Sequence, residues 1–404
     1  MNAATVRKNI WRVVFYLIMG AGLYSTWLRA WGGLGASTNL SDRFPWGMWV
    51  GFDVLCGVGL AAGGFTVTAA VYVFNLKRFH SIVRPSLLTA FLGYALVIVA
   101  LFYDLGRSPM IWHPLIMWNP RSVMFEVSWC VMLYTTVMSL EFAPIVCERF
   151  GWTKWGNRLK ALVIPLVMLG VMFSTLHQSS LGSVYLIVPE HLDPLWYSPL
   201  LPLFFYISAI GVGLAMVIFE SFLSHRAFGK EIEVDLLQDL ARVLVVVLGF
   251  YLVLRFEDLA TRGSLGFAFQ ATSAAAFFWI EVLAGGIIPC VLLAQRRVRA
   301  SGGGLFLSSV LVVLGFVMNR LNVSLTGMHA DAIGYFPRWT EISVTLMIVA
   351  LGFAGFRLAV KYLPIFEEHD AGKHHAGPGD SSDFQLRDRM KAALDAGEVV
   401  SSTT

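Results

Sequence analysis

The chain has 404 residues, 57% of them hydrophobic and 14% charged, with a formal net charge of +4. A soluble domain carries about 25% charged residues, so this sequence cannot cover a water-facing surface, and its mean hydropathy of +0.68 agrees. A soluble enzyme is excluded, nucleic acid is not an expected partner, and the expected class is an all-α polytopic protein in contact with membrane lipids.

Apolar stretches long enough to span a bilayer recur ten times, at about 10–31, 47–76, 84–105, 121–148, 156–177, 197–222, 235–258, 268–295, 304–321 and 340–361. The first follows a basic start, MNAATVRKNIW. No cleavage site follows its apolar run, so it is read as a retained helix. Residues 1–365 then form the transmembrane domain. After Pro364 the composition turns polar, so 366–404 is expected to be a largely disordered cytoplasmic tail with one short helix near 383–395.

Lysine and arginine set the sidedness. Fifteen lie at one set of helix ends, from Arg7 through Arg299, and eight at the other, from Arg29 through Arg338. The richer side is cytoplasmic. Both termini are therefore expected inside, in a bacterial cytoplasmic (inner) membrane. The stretch LFYDLGRSPMIWHPLIMWNPRSVMFE (101–126) then faces outward, and eight tryptophans fall at the same outer ends.

The pentapeptide GVGLA occurs at 57–61 and again at 211–215, an offset of 154 that Pro45 and Pro199, and Asp104 and Asp258, share. Glu126 and Glu281 are offset by 155. An even number of helices separates the copies, so the repeat is parallel, unlike the inverted repeats of many transporters. The expected architecture is two four-helix bundles, at about 47–177 and 197–321, with helices 1 and 10 peripheral.

Few residues can carry redox chemistry. Cys56, Cys130, Cys147 and Cys290 are scattered and form no CxxC, which argues against an iron–sulfur cluster or covalent haem in this chain. No histidine is expected at mid-span; His113, His177 and His329 fall at outer helix ends, and no metal site is expected. Aspartates, glutamates and histidines at those ends can instead protonate a quinone, which takes up two protons with two electrons. The candidates are Asp104, His113, Glu126 and His177. Asp258, Arg320 and His329 are their counterparts in the second half. A second reading has Arg107 neutralising Asp104 three residues away, and His177 capping its helix. Acids deeper in the helices, Glu141, Glu148, Glu220 and Glu281, mark a cavity or proton path, and the expected path is Glu126, Glu141, Glu148 and Glu281. For Glu141 and Glu148, snorkelling or pairing with Arg149 is the alternative.

Several motifs, PWGMWVGFD (45–53), GVGLAAGG (57–64), VRPSLLTAFLGYALV (83–97), LFYDLGR (101–107), LEFAP (140–144), LHQSSLGS (176–183) and DPLWYSPLLPL (193–203), occur in order. They resemble the NrfD/polysulfide-reductase family of membrane subunits, and within it the HybB type of nickel–iron hydrogenase 2. The resemblance implies a haem-free bundle of helices that exchanges electrons with menaquinone or ubiquinone. It further implies a ferredoxin-like iron–sulfur partner outside the membrane, linked to a nickel–iron hydrogenase or to a sulfur-metabolising module with multihaem cytochromes. The quinone pocket it implies falls on helices 2–5, with Trp46, Asp104, His113, Glu126 and His177 as the matching region; the expected quinone contacts are Trp46, Asp104, Arg107, His113, His177 and Gln178. A proton pump without redox work, or an inert anchor, remain the other classes the residues allow.

Overall fold

The structure is a computed structural model and describes residues 3–42, 44, 46–229, 232–330 and 335–366. The expected tail and its short helix lie outside the described residues. Ten described helices are long and apolar enough to cross a membrane. They are α1 (Asn9–Gly32), α2 (Trp49–Val73), α3 (Lys77–Asp104), α4 (Val123–Phe150), α5 (Val163–Ile187), α6 (Leu201–Phe228), α7 (Val234–Thr261), α8 (Ser273–Ala294), α9 (Gly302–Thr326) and α10 (Trp339–Tyr362). The all-α polytopic class is as expected.

Local chemistry sets the helix ends. Ser122 caps α4 by accepting from the Phe125 N–H. At its other end Gly151 takes φ 72°, the left-handed conformation that glycine adopts without strain, and the Trp152 N–H closes onto Cys147 O. The fifth helix departs most from expectation. Pro165 has no N–H to offer Ala161, so the basic segment Thr153–Ala161 becomes a separate short helix. The spanning helix then starts at Val163 and runs ten residues past His177. The polar HQSSLG stretch reads as a loop, but its hydroxyls bond back into their own helix, Ser180 Oγ to Leu176 O (2.7 Å) and Ser183 Oγ to Ser179 O (3.2 Å). His177 is consequently a mid-span residue, which corrects its placement at a helix end.

Wide π turns interrupt α2 at Trp49–Val54 and Ala69–Val73, α8 at Leu283–Ile287 and α9 at Asn322–Thr326. Such turns often mark functional or strained positions. All four hold or adjoin a buried polar side chain: Asp53 and Thr68 in α2, Glu281 just before the turn in α8, and Asn322 in α9.

In the packing, α3 lies on α2 and α4, α4 lies on α5, and α5 returns to α2. The second half repeats this order, α7 on α6 and α8, α8 on α9, and α9 back on α6. Helix α1 pairs with α10, which lies on α3. The halves meet where α2 and α5 pack on α6, and the two GVGLA copies lie at this seam. A Cβ on Gly213 would stand 2.9 Å from the Ala62 and Gly63 backbone, so only glycine permits the approach. Gly285 and Gly315 join α8 to α9 in the same way.

Candidate functional site

Asp104 is the last residue of α3, and the α3 carbonyls just around it are capped from α1. The Arg29 guanidinium donates to Tyr103 O (2.8 Å) and Leu105 O (2.6 Å). Asp104 Oδ1 is buried and has no hydrogen-bond partner. The charges acting on it come from Arg29, which is opposite in sign, and from Glu341 at the head of α10. Glu341 is fully buried and accepts from the N–H groups of Asn39 (2.9 Å) and Arg338 (3.0 Å) and from the Tyr335 hydroxyl. A third carboxylate, Asp53 in the first π turn of α2, accepts from Thr345 Oγ1 at 2.6 Å. Burial, with Glu341 acting the same way, pushes the Tyr335 phenol well above its ordinary range. The Asp104 end thus carries three acids among α2, α3 and α10, Asp53 and Glu341 buried and Asp104 half-buried, with Arg29 beside them.

Deeper between α2, α3, α4 and α5 lies a second group. His177 is wholly buried, and its Nδ1 meets the Tyr94 hydroxyl at 3.0 Å. The Tyr94 ring stands edge-on to Tyr134, with centroids 4.5 Å apart. Gln178 reaches across to α2 by donating to Val58 O (3.2 Å). Trp46 stands edge-on to Tyr185 at 5.6 Å, just above this group. The polar inventory is incomplete. His177 Nε2, Gln178 Oε1 and the hydroxyls of Tyr134, Ser174 and Tyr185 are buried without partners. Buried polar groups of this kind are rarely left unpaired in native structures.

The structure separates other expected residues from this group. Arg107 is exposed and makes no ion pair with Asp104, because α3 stops at Asp104 and the i, i+3 relation is lost. The cation whose charge acts on Asp104 is Arg29, whose guanidinium is bonded to Tyr103 O and Leu105 O. His113 sits in a 3-10 turn against Trp112, in a loop with exposed Ile116, Met117 and Trp118. Glu126 is exposed in the first turn of α4, where the helix dipole favours an anion. Glu148 pairs with Arg84 (3.1 Å) near the opposite surface, whereas Arg149 bonds Tyr362 O. Glu141 does not snorkel: it is buried against α5, where a Cβ on Gly170 would come within 2.8 Å of its Oε1.

Glu281 belongs to a different cluster. Its carboxylate accepts from Arg255, from Asn319 (2.8 Å) and Asn322 (2.7 Å), and from the Trp196 indole (2.9 Å). Four donors leave it no open position. Asp258 is held by Ser198 (2.9 Å) and Arg262, and Arg320 lies over the Phe205 ring while bonding Ser208 and Asn319. The side chain of His329 lies outside the described residues.

Sequence reasoning passed over Asp53, Glu341, Arg29, Tyr94, Tyr134 and Tyr185. Asp53 carried a usable signal, as an isolated acid in an apolar span. The tyrosines carried none, since they read as ordinary apolar filling.

These features define a polytopic helical membrane protein whose polar chemistry is buried between its helices. The chain belongs to the NrfD family, for residues 36–330 match "Polysulphide reductase, NrfD". It is 40% identical over 384 residues to a protein of Nitratidesulfovibrio vulgaris, covering 91% of this chain and 98% of that one. It is 37% identical over 355 residues to the "Probable Ni/Fe-hydrogenase 2 b-type cytochrome subunit" of Escherichia coli K12, covering 85% and 90%. A third relative, 26% identical over 391 residues and covering 89% and 92%, is the "Menaquinone reductase, integral membrane subunit" of N. vulgaris.

The second relative's name raises the question of haem. A b-type haem between helices needs axial ligands at matching depth. His177 has that depth, with its Nδ1 against Tyr94 and its Nε2 open, but a bis-histidine pair needs a second histidine facing it. The other described histidine side chains, His80, His113, His191 and His225, lie near span ends or in loops. Among the described residues no group of three or more His, Cys, Asp or Glu is placed to hold a metal ion. The donor set does not fit a bis-histidine haem.

Proposed function

We propose that the chain is the quinone-reactive membrane subunit of a respiratory oxidoreductase. In this reading it carries no haem or iron–sulfur cluster and passes electrons between an extracytoplasmic ferredoxin-like subunit and menaquinone or ubiquinone. The observation that carries this is the set of buried, unpartnered polar atoms on His177, Gln178 and Tyr185 beneath Trp46, with the unpartnered Asp104 Oδ1 at the end of α3 above them. A quinone headgroup presents two carbonyl oxygens and takes up two protons, so it is the ligand that would complete these groups. The neighbour order of the helices supports two four-helix units, the first holding the site and the second, tied at Glu281, serving as its frame. His113 and the exposed tryptophans of its loop are then contacts for the outer partner. The similarity to the E. coli relative favours a hydrogenase partner, and the menaquinone reductase relative supports the quinone.

A second reading adds proton movement through the membrane. It is favoured by Glu141, buried near Tyr134 and Ser174, which continues the polar column away from Asp104. Glu148, exposed and ion-paired, would be only its surface end.

Asp104→Asn and His177→Ala, each in assembled complex, are expected to lower quinone turnover by about 10²–10⁴-fold, the usual loss for a proton-transfer group. Reduction of a soluble dye at the partner subunit should stay near normal. Unchanged quinone turnover in both variants would remove this site from consideration.

A further inference from the structure

The largest cavity described in the structure lies away from these groups. Its volume is about 670 Å³, and it opens between α3, α6 and α10 in the half of the molecule opposite Asp104. The walls are apolar, with Leu92, Leu96, Met216, Phe219 and Phe353 among them. One acid faces into it. Glu220 Oε2 accepts from the Thr89 hydroxyl at 2.7 Å, whereas Oε1 is buried and has no partner. Arg357 stands at the rim, exposed, five residues before α10 ends.

Depth restricts what can fill this space. Glu220 is eight residues from the end of α6, about 12 Å along the axis at 1.5 Å per residue. That is deeper than the headgroup layer, which takes up about 5–7 Å on each side of the bilayer. An acyl chain would fill the volume but leave Glu220 Oε1 unsatisfied, and a phosphate headgroup would meet a carboxylate. A flat ring with oxygens at both ends and an isoprenyl tail satisfies both surfaces. Its oxygen exchanges a hydrogen bond with Glu220, its ring lies against Phe219 and Phe353, and its tail leaves between α6 and α10. The volume falls within the roughly 300–1,000 Å³ of small-molecule pockets.

We propose that this cavity is a second binding site for an isoprenoid quinone or quinol, with Glu220 as the residue that recognises the ring. The site stands on its own geometry and does not depend on the Asp104 site being correct. No electron transfer is assigned to it.

The test uses the full chain in nanodiscs and a radiolabelled azidonaphthoquinone bearing a short isoprenyl chain. After illumination, label is expected in peptides covering 216–228 and 349–357. Glu220→Leu, and Leu223→Trp, which fills the cavity from its wall, should each cut that labelling about tenfold. Thr89→Val, which frees the other carboxylate oxygen, is the milder variant if either of these fails to give a monodisperse protein. Asp104→Asn should leave the labelling intact, so a failure of the outer site is read separately, from quinone turnover. Undiminished label in folded Glu220→Leu overturns the proposal. So does label confined to peptides holding Trp46 and Tyr185, or full displacement of the probe by excess phospholipid.

Discussion

At the scale of single residues, what matters is where the buried polar groups that lack a partner lie. Tyr335 is the contrasting case, fully engaged in the segment before α10. Its hydroxyl donates to Glu341 and accepts from the Met48 N–H at 2.9 Å. Its phenol is neutral in the folded state, and burial raises its pKa above the unfolded value of about 10. The stability this confers is fully present below about pH 10 and is lost as pH rises further, because the unfolded chain then ionises first. Tyr335→Phe is therefore expected to flatten the alkaline limb of a melting-temperature profile recorded between about pH 9 and 11. At neutral pH it should cost about 1–3 kcal/mol, since Glu341 loses a buried donor.

At the scale of helices, Glu281 gives the sharpest expectation. Its four donors include the buried Arg255, and breaking a buried pair from one side costs about 3–5 kcal/mol. Glu281→Gln should therefore lower the thermal midpoint and the yield of detergent-solubilised protein, while each folded complex keeps its quinone turnover. Equal losses of turnover and stability in Asp104→Asn and Glu281→Gln would instead make both clusters parts of one site. At the α8–α9 crossing, a Cβ on Gly285 would sit 2.3 Å from the Gly315 Cα. Gly285→Val should destabilise by about 1–3 kcal/mol through overpacking, read as a lowered unfolding midpoint. The spans themselves were legible because an apolar run of this length has few soluble uses. His177 was misplaced because Ser, Gln and Gly look like a loop in sequence, and only the helix shows that the hydroxyls of Ser180 and Ser183 bond its own carbonyls while Gln178 donates across to Val58 O. The reading that set Arg107 beside Asp104 counted along one helix, whereas the cation whose charge acts on Asp104 comes from α1. No sequence spacing reports such a neighbour from a distant helix.

At the scale of the whole molecule, the sequence's asymmetry in lysine and arginine remains the argument for orientation. Alkaline phosphatase fused after Met117 is expected to be active in cells and a fusion after Pro364 inactive; the reverse pattern would put the Asp104 end in the cytoplasm and separate it from an outer electron donor. The seam between α2 and α6 bears on a different question. There the main chains of Ala62, Gly63 and Gly213 touch, with no layer of side chains between them to slide or compress. A rocker mechanism, which carries a solute by tilting one half of a protein against the other, needs a lubricated joint at this place. Here the joint is welded, so a tilt of one half against the other at this place would have to break main-chain contact.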